Sequence, residues 1–366
     1  MNLRRQRGFT LIELMVALVV STLLVGMILS IFSRISLAYR GQQQIAGVQQ
    51  VLAAARATIE IDAKQAGFAV PQGFRVATAP TVPLAPTVKQ WPVRIVDSAT
   101  GPDQIAFFYA DSSAQAVVTV APTAWAVNPT LTVDSATGFA APDLVVLAKV
   151  DTTTNSVVNP GIDPNIATYD SCVMQIATIA GPVVTFSRNA PWGRPDSAHC
   201  TAPVVGTLMY KFVAHGYRID PARPAVGALQ QSALGGLFTP DSVNNWQDIA
   251  YGFTDIQTAL QVFENPLRTW YSGAAQGPQT GTNGTTPASP PLQMTISLVA
   301  RTDRTVEGIA TSATPLLTDP ANPDNNTIGN RPSVDLTTTT DPALQGAQIY
   351  RYITFSVDFR NMGVGD

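Results

Sequence analysis

An apolar run from Phe9 to Phe32, preceded by a short basic stretch, constrains this chain more than any other feature. The N-terminus reads MNLRRQRGFTLIELMVALVVSTLLVGMILSIF, and Glu13 is the only charge inside the run. These 24 residues, at about 1.5 Å each, span about 36 Å, enough to cross a hydrocarbon core of about 30 Å. Arg4, Arg5 and Arg7 precede the span and orient the N-terminus to the cytoplasm, with the body outside. A secretory signal has a shorter apolar region ending at a small-residue cut site. Here Ser33-Arg34-Ile35-Ser36 follows the run, and the chain contains no proline before Pro71.

The helical pattern continues beyond Phe32 in amphipathic form. Ile45, Val48, Leu52, Ala55 and Ile59 recur at steps of three and four, while Gln42 to Gln44, Gln49, Gln50, Arg56 and Lys64 occupy mostly other faces. The spacing predicts one helix from Phe9 to about Ala66, roughly 85–90 Å long, with Gly67 near its end. Its apolar stripe is expected to pack under the chain's own β-sheet. Thr22, Gly26 and Ser30 form a row of small residues on one face of the membrane half, which permits close helix–helix approach.

At this point the residues resemble a known family. Gly8-Phe9-Thr10-Leu11-Ile12-Glu13, behind its three arginines, is similar to the type IV prepilin signal. The resemblance implies that a prepilin peptidase cuts between Gly8 and Phe9 and methylates the new amine of Phe9. Glu13, then the fifth residue of the mature chain, is expected to set axial register in a filament by pairing with its own or a neighbour's terminus. A carboxylate in a membrane helix costs on the order of 2.5–3.5 kcal/mol near the bilayer centre, so it needs such a partner. The alternative is a plain anchor whose Glu13 snorkels to the interface. Ile61-Asp62-Ala63-Lys64-Gln65-Ala66-Gly67-Phe68 is similar to the segment that closes the helix in PilW-type minor pilins, with Lys64 and Ala63 departing from that pattern.

The rest of the chain reads as a β-rich, loop-rich exported head. Hydrophobic residues make up 45%, so it can build a core, while charged residues are 13% against the roughly 25% usual for soluble domains. Residues 71–92, with five prolines, are expected to form an extended connector without a regular element. Strands are predicted at Gln104–Tyr109, Ala116–Val120, Leu144–Val150, Val173–Ile179, Val183–Ser187, Leu208–Arg218, Met294–Arg301 and Ile349–Phe359. Trp246 to Phe263 admits a short helix or a turn into a strand. A similar segment in PilW-type pilins and in the J-type pseudopilins of type II secretion favours a strand at Gln257–Phe263. Residues 272–291 are expected to be a mobile loop and 311–346 a second long insertion. Residues 70–245 carry no recognisable family resemblance.

The expected fold class is therefore α+β: a long N-terminal transmembrane and amphipathic helix on an antiparallel β-sheet head with long loop insertions. Residues 1–8 are the leader, 9–32 the membrane half of the helix, 33–67 its amphipathic half, and 68–366 the head.

Little in the chain points to chemistry. Cys172 and Cys200 read as a disulfide in an exported domain, or as two buried thiols. His199 adjoins Cys200, but neighbours on an extended chain point apart, and the other histidine is His215. Zinc spacings, a P-loop and a G-x-S-x-G elbow are absent, so neither catalysis, a metal nor any cofactor is expected. Asp319 to Asn326 has calcium-type ligands, but its prolines break the alternation of an EF-hand loop and favour a solvated turn. Trp125, Trp192, Trp246 and Trp270 read as core or interface anchors first, with Pro191–Pro195 the candidate for an exposed recognition tip. The net charge is −3. Removing the three leader arginines leaves 19 basic residues against 25 acids, a net −6, which argues against nucleic-acid binding through bulk charge.

By resemblance, the expected partners are prepilin peptidase, other minor and major pilins and the inner membrane. The expected role is a minor pilin that helps assemble a type IV pilus. A tip adhesin or DNA receptor, or a J-type pseudopilin, are the alternatives.

Overall fold

The computed structural model describes residues 10–70, 75–76, 92–96, 98, 101–125, 127–148, 172–187, 202–223, 226–235, 245–264, 267–271, 291–302, 327–328, 331–332 and 349–359. It opens with α1 (Leu11–Gln65), a 55-residue helix about 82 Å long. Thr10 caps its start, and its side chain accepts the backbone N–H of Glu13. The helix ends at Ala66, after which Gly67 turns the chain at φ +88°, a conformation that favours glycine. Phe9, the expected start, lies outside the described residues.

The strands follow in chain order: β1 (Arg75–Val76), β2 (Val93–Val96), β3 (Gln104–Val120), β4 (Thr130–Val133), β5 (Leu144–Ala148), β6 (Cys172–Ala180), β7 (Val183–Phe186) and β8 (Leu208–Ile219). Then come β9 (Leu229–Ser232), β10 (Gln247–Ala250), β11 (Phe253–Glu264), β12 (Leu267–Tyr271), β13 (Pro291–Arg301), β14 (Thr327–Ile328), β15 (Arg331–Pro332) and β16 (Tyr350–Asp358). The β11 span decides the ambiguous 246–263 segment in favour of strand. The connector is not wholly irregular, because β1 adds in parallel to β6. The insertion at 311–346 carries the small β14–β15 pair.

A long helix packed on antiparallel sheet with loop insertions is the α+β architecture expected. β12-β11-β13-β16 form one antiparallel sheet. The other runs β10-β9-β8-β5-β6-β7-β4-β3-β2, and a further β8–β3 pairing closes β3, β4, β7, β6, β5 and β8 into a ring. One strand makes this possible. The predicted segments 104–109 and 116–120 are not two strands but the single 17-residue β3. Its register with β8 shifts between Asp111 and Gln115, where the side chain of Asp111 receives the N–H of Ser113 at 2.8 Å. Before the bulge β3 lies over the helix. Beyond it, β3 enters the ring, whose interior is filled by Val118, Leu131, Met174, Phe186 and Met209, with Trp125 edge-on to Phe186 at 5.9 Å.

The main core forms where the helix meets both sheets. Val48, Leu52, Ala55, Ile59, Ala63 and Ala66 pack with Phe107 and Tyr217 of the large sheet and Leu260, Ile296 and Phe355 of the smaller one. The predicted stripe is buried as expected except for Ile45, which is only half-buried at the margin. Asp103, 1% exposed, joins the sheets: its carboxylate accepts the N–H (2.9 Å) and hydroxyl (3.0 Å) of Thr258.

Candidate functional site

Two regions of α1 carry the features that bear on function. The first is its N-terminal end. From Thr10 to Arg40 every residue is exposed except half-buried Ser36, and no part of the most apolar stretch is buried. An aliphatic surface of this length is stable only in lipid or against other apolar helices. By length and composition α1 can cross a membrane.

Glu13 sits at the third helical position and is engaged within its own chain. Its Oε2 accepts the backbone N–H and the hydroxyl of Thr10, both at 3.2 Å, while its own N–H donates to Thr10 Oγ1 at 3.3 Å. This reciprocal pair is a capping box, and it favours a negative charge at the positive end of the helix dipole. The Thr10-Leu-Ile-Glu13 spacing is the sequence signal for it. Gly8 and Phe9, the expected cut and methylation positions, lie outside the described residues.

The second region is the last turn of α1, where the buried stripe continues onto an acid. Asp62 is 5% exposed, and its carboxylate collects donors from two strands of the large sheet. Tyr109 of β3 donates its hydroxyl to Oδ1 at 2.7 Å. Tyr217 of β8 donates to Oδ2, as does His215 Nδ1 at 2.8 Å. Because a carboxylate only accepts, the hydrogen bond places the proton on Nδ1. Gln231 of β9 in turn donates to the Tyr217 hydroxyl at 2.9 Å. Burial pushes the Asp62 carboxyl up, but the hydrogen bonds from His215 and Tyr217 outweigh it and hold the group below its usual range. Burial and the neighbouring carboxylate raise both tyrosine hydroxyls, so they stay protonated donors.

This clasp fixes the rotation and height of the helix on the sheet. An apolar stripe alone tolerates sliding by a turn, whereas three donors converging on one carboxylate do not. Sequence reading passed over His215, because its partner is 153 positions away. The available signal was Asp62 itself, an acid falling on the apolar stripe three residues after Ile59.

The other singled-out residues are dispersed. Cys172 is buried at the start of β6, and no described cysteine is a free thiol. Cys200 and His199 lie outside the described residues, as do Trp192, Pro191–Pro195 and the 319–326 run. Trp125 is core, Trp270 is half-buried on β12, and Trp246 carries the Arg218 guanidinium over its ring at 4.1 Å. Among the described residues, no group of three or more His, Cys, Asp or Glu side chains is placed to hold a metal ion.

Residues 3–29 match the family described as "Prokaryotic N-terminal methylation motif". The match covers Arg4, Arg5 and Arg7, the expected cut-site residues Gly8 and Phe9 and the apolar start of α1, and it stops short of the β-strands. No curated protein matches the chain. Among solved structures, a type IV-like pilin from Thermus thermophilus is similar at 9% identity, over 86% of this chain and 97% of that one, with a TM-score of 0.37. A likeness that distant says nothing about role. The chain joins an N-terminal methylation motif and a membrane-capable helix to an antiparallel β head.

Proposed function

We propose that this chain is a minor pilin, held in the inner membrane by the lower half of α1, cut after Gly8, methylated at Phe9 and packed with other pilins in a type IV pilus. The observation that carries the reading is the continuity of one helix. Residues 11–29 of the methylation motif form the start of a 55-residue helix whose lower half is bare and apolar and whose upper half is locked into the head. A plain anchor needs only enough helix to cross the bilayer, about 20 residues. The remaining length and the clasp at Asp62 suit a subunit that hangs a rigid head on a bundle of helices.

The size of the head favours a minor position. A ring of strands beside the helix-packed sheet adds bulk that a tightly wound shaft repeats poorly. In this reading residues 1–8 are removed, 9–32 lie in the membrane or filament core, 33–67 join it to the head, and 68–366 stay outside. On the same reading Cys172, at the start of β6, and Cys200 form a disulfide, worth roughly 3–4 kcal/mol in the chain-entropy model. Prepilin peptidase and other pilins are the partners.

The test is the mass of the N-terminus in cells with and without a prepilin peptidase. The expected product starts at methylated Phe9 only when the peptidase is present. An uncut Met1 chain in both strains would reduce the protein to an anchored exported domain.

A further inference from the structure

We propose that the stretch of α1 just above the apolar span, from Arg34 to Arg40, is an interfacial site for anionic phospholipid in the leaflet on the head side. This rests on the membrane-held stage of the reading above and names the lipid that stage selects.

The first observation is charge. Between Glu13 and Arg56 the only charged residues are Arg34 and Arg40, and the next acid is Glu60. Both arginines are exposed, and they follow Phe32 by about 3 and 12 Å along the axis. The polar layer adds about 5–8 Å to each side of a bilayer's hydrocarbon core. Helical side chains lean toward the N-terminus, and long basic ones snorkel, so Arg40 reaches down to the phosphates beside Arg34. With no acid in the stretch, two guanidinium forks face that layer, and a fork matches a phosphate bidentately.

The second observation is how apolar and basic residues divide the helix there. Ile28, Phe32, Ile35 and Tyr39 recur at steps of four, three and four, which keeps them within about 60° of one bearing. All four are at least 60% exposed. Val48, the first large apolar residue that the head buries, follows Tyr39 by nine positions, about 180° away. The stripe therefore continues past the span on the face turned away from the head. Leu37 lies on the head's side, within about 20° of Val48, with Arg34 and Arg40 about 60° to either side of it.

This two-sided exit fits the lipid–water boundary, where an apolar face, a tyrosine and flanking arginines each find their medium. Wholly in hydrocarbon the arginines would be unpaired, and wholly in water Ile35 and Tyr39 would be bare. The arrangement also sets a tilt. The apolar face stays in lipid as far as Tyr39, about 10 Å beyond Phe32, while the basic face surfaces at Arg34. Tilts of that kind lie within the 0–40° or so that membrane helices adopt. The helix leans toward its stripe, and the head rides on the upper side, clear of the bilayer.

The experiment reconstitutes the full-length chain in vesicles of equal phosphatidylglycerol and phosphatidylcholine, with a photo-crosslinking amino acid at Leu37 or Tyr39. A control carries it at Gln49, exposed beside the head. The expected result is phospholipid attached at 37 and 39 and none at 49. At 37, between the arginines, phosphatidylglycerol should be captured well ahead of phosphatidylcholine. Arg34→Gln and Arg40→Gln should each lower that preference roughly fivefold while lipid capture at 39 persists. Both side chains are exposed, so the fold is retained, which circular dichroism checks. Capture of a second copy or another protein at 39, equal capture of the two lipids at 37, or a preference that survives both substitutions would overturn the proposal. Two further readings keep the claims apart. A chain cut at Phe9 in cells but without lipid preference in vesicles leaves the pilin reading standing, whereas a chain that alkaline carbonate strips from the vesicles sinks both.

Discussion

Replacing Asp62 by asparagine should loosen the head from the helix by an amount the clasp geometry sets. The substitution keeps the volume but removes the charge and one acceptor oxygen, turning an amide N–H₂ toward a group that already donates. Three side-chain donors converge on the carboxylate, and two of them, the hydroxyls of Tyr109 and Tyr217, belong to buried residues. Hydrogen bonds to a charged group contribute about 1.5–3 kcal/mol each, and His215, partly exposed, recovers most of its share from water. One buried bond lost and one weakened give about 3 kcal/mol. That lies at the lower end of the range for breaking a buried charged pair, about 3–5 kcal/mol.

The assay is urea unfolding of the full-length chain in detergent, followed by tryptophan fluorescence. Tyr217→Phe alone should cost about 1–2 kcal/mol. The double variant should cost less than the sum by at least about 1 kcal/mol, because both changes break the same bond. The effect also has a pH signature. The Asp62 carboxyl is held below its unfolded value of 3.8, so its contribution is fully present above that pH and is lost as the pH falls through the lower folded value. The gap between wild type and Asp62→Asn should therefore begin to narrow as the pH falls below about 4. Additivity of the two changes within about 0.5 kcal/mol, or a gap that does not narrow below that pH, would refute the clasp as drawn.

Two further outcomes follow from other residues. Thr10→Val removes the capping box but leaves the Glu13 charge, whereas Glu13→Ala removes both. If Glu13 sets filament register, only Glu13→Ala abolishes incorporation into pili; equal incorporation of the two variants would reduce Glu13 to a helix cap. Gly227 has φ +65°, and a Cβ there would lie 2.1 Å from the carbonyl oxygen of Phe253. Gly227→Ala should therefore cost at least about 3 kcal/mol, seen as a lowered unfolding midpoint, and an unchanged midpoint would disprove the close approach.

The local signals in the chain were sufficient for the helix and for the longer strands. A charge-free span, a period of 3.6 and a glycine after Ala66 each act over a few residues, so α1, its buried stripe and its end could be read directly. Alternation likewise placed β8, β13 and β16. The short strands β2, β4, β9 and β10 escaped, because four residues establish no period; β7, equally short, was legible from the Gly-Pro turn before its β-branched Val-Val-Thr run.

What tertiary structure alone decided is pairing across distance. Nothing near Asp111 announces that β3 continues through a bulge, or that its far half closes a ring with β8 about a hundred positions away. That outcome depends on which apolar faces find each other once the helix is covered. The same holds for His215, an isolated histidine in sequence that becomes a partner of Asp62 only because β8 crosses the last turn of α1. The sequence by itself determined the long helix and its apolar, membrane-capable end, since these rest on local propensity and bulk hydrophobicity. The grip of head on rod had to wait for the fold, because a buried carboxylate is tolerable only where distant donors converge on it.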